Sequence, residues 1–79
     1  MQPYIATFYT HSGALLSHRN LKRSGIAARM MPVPRKLSSS CGTCVYYEAE
    51  DPEEARMDQD LEALYLVTET EKFTCRKLK

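Results

Sequence analysis

The chain lacks any apolar run approaching the roughly eighteen residues that a membrane-spanning helix needs. It also lacks a strong charge of one sign, because eleven Lys and Arg oppose ten Asp and Glu for a formal charge of +1. That balance argues against a general nucleic-acid or membrane-surface binder. The opening Met-Gln-Pro-Tyr lacks the basic and then apolar plan of a secretory signal, so we expect a cytoplasmic protein.

Length and cysteine content are also low. With 79 residues we expect one domain, residues 1–79, without a deep substrate cleft. A domain of this size buries only roughly 60% of its unfolded surface, so we expect modest stability or help from self-association as a homodimer. Three cysteines are an odd count for a disulfide framework. A Cys-x-x-Cys pair in a cytoplasmic chain instead indicates redox, metal-binding or carrier chemistry.

The first half of the chain alternates strand and helix signals. Residues 4–9 are aromatic and β-branched, and Thr10-His11-Ser12-Gly13 then offers a helix cap. Residues 14–23 carry apolar side chains at helical spacing and end in basic residues before Gly25, which suits a left-handed cap. A second strand is predicted over 26–33 and a third over 45–50.

The second half predicts another helix and two more strands. Asp51-Pro52-Glu53-Glu54 has the composition of a helix N-terminus, and Met57, Leu61 and Leu64 continue it at helical spacing. Residues 64–68 and 73–78 read as strands that form a hairpin through 69–72. This order predicts an α+β domain with the ferredoxin-like βαββαβ split βαβ plan, two helices on one face of an antiparallel sheet, and an additional C-terminal strand.

The segment from Pro32 to Cys44 concentrates the chemistry-bearing residues. Cys41 and Cys44 lie three residues apart in a loop of small residues, downstream of Arg35 and Lys36. Thiolates are the nucleophilic form of cysteine, and neighbouring cations favour them. The loop residues that could support such a sulfur are Pro34, Arg35, Ser38, Ser40 and Gly42. Arg35 could bind an anion or form a salt bridge to the predicted acidic second helix, and the sequence favours neither.

Two stretches resemble a known family. The opening YIATFYTHSGALLSHRNLKRSGI and the following PVPRKLSSSCG are similar to small bacterial proteins described as selenium or sulfur carrier-like. The specific part is Pro-x-Pro-Arg, a hydrophobic residue and serines, and then Cys-Gly. The chain departs from this pattern at Cys44, where family members more often have an apolar residue.

The resemblance implies that Cys41 carries the chalcogen as a persulfide or selenopersulfide. It also implies a donor, such as a cysteine desulfurase, and an acceptor protein of unknown identity, with no cofactor and no enzymatic activity of the chain itself. Cys44 then has two interpretations. It could resolve a persulfide or mixed disulfide on Cys41, or it could pack as a small hydrophobe at the start of the third strand.

Other functions compete with the carrier hypothesis. A zinc site would need Cys75, His11 or His18 to complete the ligands of the Cys-x-x-Cys pair, and no spacing indicates which would converge. Thioredoxin-like chemistry is disfavoured because the motif leads into a strand and not a helix. RNA binding is disfavoured because acidic residues interrupt the third strand. A small regulatory or adaptor module with incidental cysteines remains the alternative from another class.

Overall fold

A computed structural model describes residues 1–79 as one helix and a five-stranded antiparallel sheet, an α+β architecture. The elements are β1 (Gln2–Phe8), α1 (His11–Arg23), β2 (Ala27–Pro32), β3 (Thr43–Ala49), a 3-10 turn (Glu54–Arg56), β4 (Leu61–Glu69) and β5 (Thr74–Lys77). The strand order is β2-β3-β1-β4-β5, so β1 lies at the centre. The helix α1 is too short and polar to cross a membrane.

Helix α1 forms where the sequence predicts it. Thr10 caps its start, with its hydroxyl oxygen accepting the Gly13 N–H at 3.0 Å. The buried side of the helix consists of small residues and one leucine, namely Gly13, Ala14, Ser17 and Leu21. Lys22 and Arg23 occupy the last turn, and Gly25 follows with φ of 78°. β1 and β2 are both antiparallel to β3, so α1 connects two parallel strands that have a third between them.

The prediction of a second helix is wrong, so the two-helix ferredoxin-like sandwich does not form. Only a single 3-10 turn is present, and Glu53 before it adopts a left-handed φ of 54°. The Asp51 carboxylate accepts the Glu53 N–H at 2.8 Å just before that turn, but no side chain caps the turn itself. A short helix needs an apolar face to be stable, and this charged segment offers little beyond Met57. Leu61 and Leu64, which would extend that face, belong instead to β4.

The segment that replaces the second helix packs against α1. The Asp58 N–H donates to the fully buried Ser17 hydroxyl at 2.8 Å, and the Thr10 hydroxyl donates to the Asp60 carboxylate at 2.6 Å. Gly13 permits this close approach, because a Cβ there would lie 2.7 Å from the Asp60 Cβ. One face of the sheet is therefore closed by α1 and by an irregular segment.

The two faces of the sheet bury different amounts of apolar surface. The helix-covered face contains nine buried residues: Tyr4, Ala6, Phe8, Ala14, Leu21, Val45, Tyr47, Ala49 and Leu64. The opposite face has a smaller cluster of Ile5, Cys44 and Val67. The predicted C-terminal hairpin of β4 and β5 is confirmed, and its turn uses Phe73 at φ of 50° in place of a glycine.

Candidate functional site

The connection between β2 and β3, residues 33–42, carries Cys41 and is here called the cover loop. Its two ends meet through a hydrogen bond from the Val33 N–H to the Gly42 carbonyl at 3.1 Å. Gly42 has φ of 77°, a conformation that residues with a Cβ rarely adopt. A Cβ at this position would have no atom within 4 Å beyond its chain neighbours, so the backbone conformation and not space favours glycine.

Three side-chain contacts attach the cover loop to distant strands. The Ser39 hydroxyl donates to the Phe8 carbonyl at 3.2 Å. Ser40 donates its N–H and its hydroxyl to the two carboxylate oxygens of Glu62, each at 3.1 Å. The Lys36 ammonium donates to the Thr74 hydroxyl at 3.4 Å. The loop therefore extends from β2 to the far side of the sheet before it returns to β3.

The apolar residues of the cover loop shield the face of the sheet opposite α1. Val33 and Leu37 are half-buried and pack against the cluster of Ile5, Cys44 and Val67. The Leu37 N–H donates to the Pro34 carbonyl at 2.9 Å, which makes a turn at the point where the loop changes direction. Pro34 thus shapes the loop, and Leu37 provides its apolar contact.

Cys41 lies on the cover loop and is half-buried. Its thiol donates to the Thr43 carbonyl at 3.3 Å, and the Ser39 hydroxyl oxygen lies 3.9 Å from its sulfur. Ionisation of the thiol must break its hydrogen bond to Thr43, because a thiolate has no proton to donate. The Ser39 hydroxyl is then the adjacent group that can rotate its single proton from the Phe8 carbonyl to the sulfur.

Cys44 is fully buried beneath the cover loop. Burial first, and then the neighbouring Cys41 and Cys75, raise the pKa of its thiol to about 12, while Arg29 acts in the opposite direction. A thiol with this pKa is protonated at neutral pH and is a poor nucleophile. These observations favour the interpretation of Cys44 as a packed hydrophobe over that of a resolving thiol.

The remaining metal-ligand candidates are dispersed. Cys75 is half-buried in β5, where its thiol donates to the Phe73 carbonyl at 3.3 Å and burial raises its pKa against the opposing effect of Lys36. His18 lies on α1 with Nε2 3.3 Å from the Ala28 carbonyl, and His11 is exposed at the start of that helix. No group of three or more His, Cys, Asp or Glu side chains converges in a way that could hold a metal ion.

The predicted supporting residues have unequal roles. Ser40 and Gly42 help to fix the loop conformation, whereas Ser38 is exposed and makes no side-chain hydrogen bond. Arg35 is exposed and forms neither an ion pair nor a hydrogen bond, including to Cys41. The sequence indicates serines 38–40 together as hydroxyl donors but does not single out Ser39, since nothing distinguishes the middle of the three. Sequence reasoning missed Glu62, because that residue was assigned to the helix that does not form.

Comparison with known proteins gives one match. The model of a family described as "Putative Se/S carrier protein-like" matches residues 3–58, more than two thirds of the chain. The matched region runs from β1 through the cover loop to the 3-10 turn, and includes Cys41 and Cys44 but not Cys75. No curated protein and no solved structure matches the chain. The chain therefore belongs to the Se/S carrier protein-like family.

Proposed function

We propose that this protein carries sulfur or selenium on Cys41 Sγ, as a persulfide or selenopersulfide, between a donor enzyme and an acceptor protein. The observation that carries the proposal is the contrast between the two cysteines of the family-matched region. Cys44 is fully buried with a raised pKa, whereas Cys41 is half-buried on a surface loop. A carrier needs a sulfur that partners can reach, so Cys41 is the residue suited to the role.

The loading step requires no redox cofactor. The Cys41 thiolate attacks the outer sulfur of a donor persulfide, R–S–SH, and a new bond forms to Cys41 Sγ as the donor S–S bond breaks. The donor leaves as the thiolate R–S⁻, and Cys41 becomes Cys–S–SH. An acceptor nucleophile then attacks the terminal sulfur and releases the Cys41 thiolate. Sulfur, charge and electrons balance in both steps, and selenium follows the same scheme.

The surroundings of Cys41 fit transfer better than catalysis. The two cavities of the protein are shallow and open, and neither includes Cys41 among its lining residues. The cover loop thus offers its sulfur without an adjoining substrate cavity. We propose that the chain is not an enzyme by itself and works in the cytoplasm, where thiols stay reduced.

Intact mass spectrometry tests the proposal. The reduced protein is incubated with a cysteine desulfurase and cysteine, and its mass is recorded before and after treatment with a thiol reductant. We expect a reductant-labile gain of one sulfur in wild type, Cys44→Ser and Cys75→Ser, and none in Cys41→Ser. Selenocysteine in place of cysteine tests for the corresponding gain of selenium.

Two results would overturn the carrier proposal. One is the absence of an adduct in every variant, which would support the non-catalytic adaptor alternative. The other is an adduct of equal occupancy in Cys41→Ser and wild type, which would place the chalcogen on another cysteine. Circular dichroism of each variant shows whether a lost adduct reflects a lost fold.

A further inference from the structure

Three exposed apolar side chains lie in the segment that enters α1 and forms its first turns. Tyr9, Leu15 and Leu16 are 56%, 41% and 44% exposed, respectively. Leu15 and Leu16 are on the side of α1 that faces away from the sheet, because the buried positions of the helix are Gly13, Ala14, Ser17 and Leu21. Isolated exposed apolar residues are normal, but a group rimmed by polar residues indicates an interaction surface.

The exposed side of α1 also carries unpaired positive charge. Arg19, Lys22 and Arg23 are exposed, and none forms an ion pair or a side-chain hydrogen bond. Helical spacing places Arg19 one turn beyond Leu15, and Lys22 and Arg23 one turn further. The helix contains no acidic residue that could neutralise these cations. The exposed side thus passes from apolar to basic along its length.

This surface begins at the end of the sheet where the cover loop crosses. The Ser39 hydroxyl, two residues from Cys41, donates to the carbonyl of Phe8, and Tyr9 is the next residue in the chain. The Tyr9 N–H in turn donates to the Asp60 carbonyl at 2.9 Å, which holds the backbone that enters α1. The cover loop lies on the sheet face opposite α1, so a protein seated on Tyr9 and the first turns of α1 would reach Cys41 around this end of the sheet.

We propose that Tyr9, Leu15, Leu16, Arg19, Lys22 and Arg23 form a docking surface for the protein that delivers the chalcogen to Cys41. The partner has an acidic surface next to an apolar contact. This inference rests on the proposed carrier function and names the kind of partner it uses. Charge complementarity of this type accelerates association and orients the two proteins, and the apolar contact slows dissociation.

The composition of the surface favours a protein over a nucleic acid or a second copy of the chain. Phosphate contacts use cationic and polar side chains, and two exposed leucines add nothing to them. The chain as a whole has a formal charge of only +1, so its positive potential is local to α1. A second copy would have to present its own acidic residues together with an apolar patch, and the large exposed apolar residues outside this surface are Met1 and Leu78.

The charge requirement is tested by measuring the initial rate of sulfur transfer from a persulfide-loaded cysteine desulfurase to the reduced protein. The double variant Arg19→Glu/Lys22→Glu is compared with Lys72→Glu/Lys77→Glu, which makes the same charge change at exposed residues of the β4-β5 hairpin. We expect the α1 variant to transfer about tenfold more slowly at low ionic strength and to lose the salt dependence of the wild type. The hairpin variant should stay within about twofold of wild type.

The apolar requirement is tested in the same assay with Leu16→Ser. Its matched control is Leu78→Ser, which changes a leucine of similar exposure, 39% against 44%, at the C-terminal end of the chain. We expect Leu16→Ser to slow transfer about fivefold, in line with about 1 kcal/mol for a partly buried interface side chain, at low and at high ionic strength alike. Leu78→Ser should have no effect.

Loading by inorganic polysulfide separates this inference from the carrier proposal, because a small donor needs no docking surface. All α1 and control variants should gain sulfur from polysulfide at the wild-type rate. If donor transfer is equally fast in the α1 and control variants, the docking surface is wrong and the carrier proposal stands. If the wild type gains no sulfur from either donor, the carrier proposal itself fails.

Two further measurements examine the other occupants of the surface. Sedimentation of the wild type and the α1 variants reports self-association, and filter binding of total RNA reports nucleic-acid binding. A dimer or an RNA complex that depends on Arg19 and Lys22, combined with unchanged donor transfer, would overturn the inference in favour of that occupant. Monomeric protein that does not retain RNA, combined with slowed transfer in the α1 variants, supports it.

Discussion

The two faces of the central sheet are covered in different ways. On one face, α1 contributes Ala14 and Leu21 to a core of nine buried residues. On the other, the cover loop closes over a cluster of three buried residues with half-buried side chains such as Val33 and Leu37. A helix satisfies its own backbone hydrogen bonds, whereas the loop depends on a few side-chain contacts through Lys36, Ser39 and Ser40.

The two ways of covering the sheet assign structural stability to one face and the reactive cysteine to the other. The face covered by α1 buries more apolar area and therefore supplies most of the hydrophobic stabilisation. The cover loop has fewer buried contacts and several exposed residues, so it is the part of the chain that can open locally at low cost. Cys41 lies on this loop and Cys44 lies beneath it. Partners can therefore reach Cys41 without disturbance of the main core.

Two substitutions on β4 measure the difference between the faces directly. Leu64 belongs to the core under α1, and Val67 belongs to the cluster under the cover loop. We expect Leu64→Ala to lower the free energy of unfolding by about 3 kcal/mol and Val67→Ala to lower it by about 1.5 kcal/mol, as measured by urea denaturation. Replacement by alanine removes more side-chain volume from leucine than from valine. Leu64→Val removes less volume at the same place, so it separates the effect of lost volume from the effect of location. Equal losses for Leu64→Ala and Val67→Ala would contradict the ranking of the faces.

Two glycines offer a matched test of the cover loop. Gly42 and Gly25 have φ values of 77° and 78°, and a Cβ at either position would have no atom within 4 Å beyond its chain neighbours. Alanine at either position should cost about 1–2 kcal/mol in the free energy of unfolding, because both must hold a left-handed conformation. Gly42→Ala should also change the rate of Cys41 alkylation by iodoacetamide, whereas Gly25→Ala should not. A similar change in both variants would mean that the rate follows overall stability.

Much of the fold could be predicted from local sequence signals. The cap at Thr10, the helical spacing up to Leu21 and the left-handed Gly25 all point to α1, and the structure confirms them. The same kind of reasoning failed after Asp51. Its carboxylate accepts the Glu53 N–H, as a cap would suggest, but the chain then turns into a one-turn 3-10 helix. Capping residues favour turns as well as helices, so tertiary pairing of Leu61 and Leu64 with β1 decides the outcome.

The candidate site could be predicted only in outline. The position of the cover loop followed from Pro32 and Pro34, which disfavour a helix, and from the small residues before Cys41. The attachment of Ser40 to Glu62 spans 22 residues, and that of Ser39 to Phe8 spans 31. No local pattern specifies contacts at such separations. The burial of Cys44 follows from its place in β3 facing the covered side, which depends on strand register.

The raised pKa of Cys44 predicts a loss of stability at alkaline pH. The thiol has a pKa of about 12 in the folded protein and an ordinary value of 9.0 when exposed, so the unfolded state ionises first. The associated stability is fully present below about pH 9 and is lost as the pH rises toward 12, by at most about 1.4 kcal/mol per pH unit. Urea denaturation of wild type and Cys44→Ala between about pH 8 and pH 10 should show a steeper decline in wild type. Parallel declines would mean that Cys44 is not the group responsible.

The smallest effect is expected from Ser39, the side chain that both anchors the cover loop and approaches Cys41 Sγ at 3.9 Å. Ser39→Ala removes one hydrogen bond to the Phe8 carbonyl and the hydroxyl that can donate to a Cys41 thiolate. A hydrogen bond of this kind contributes about 0.5–1.5 kcal/mol, so persulfide loading from polysulfide should slow by about twofold to tenfold.

Ser38→Ala is the matched control, because Ser38 is exposed and makes no side-chain hydrogen bond. If Ser38→Ala slows loading as much as Ser39→Ala, the effect belongs to the flexibility of the serine run. If only Ser39→Ala slows loading, the Ser39 hydroxyl acts on the reacting sulfur and the cover loop tunes the sulfur it carries.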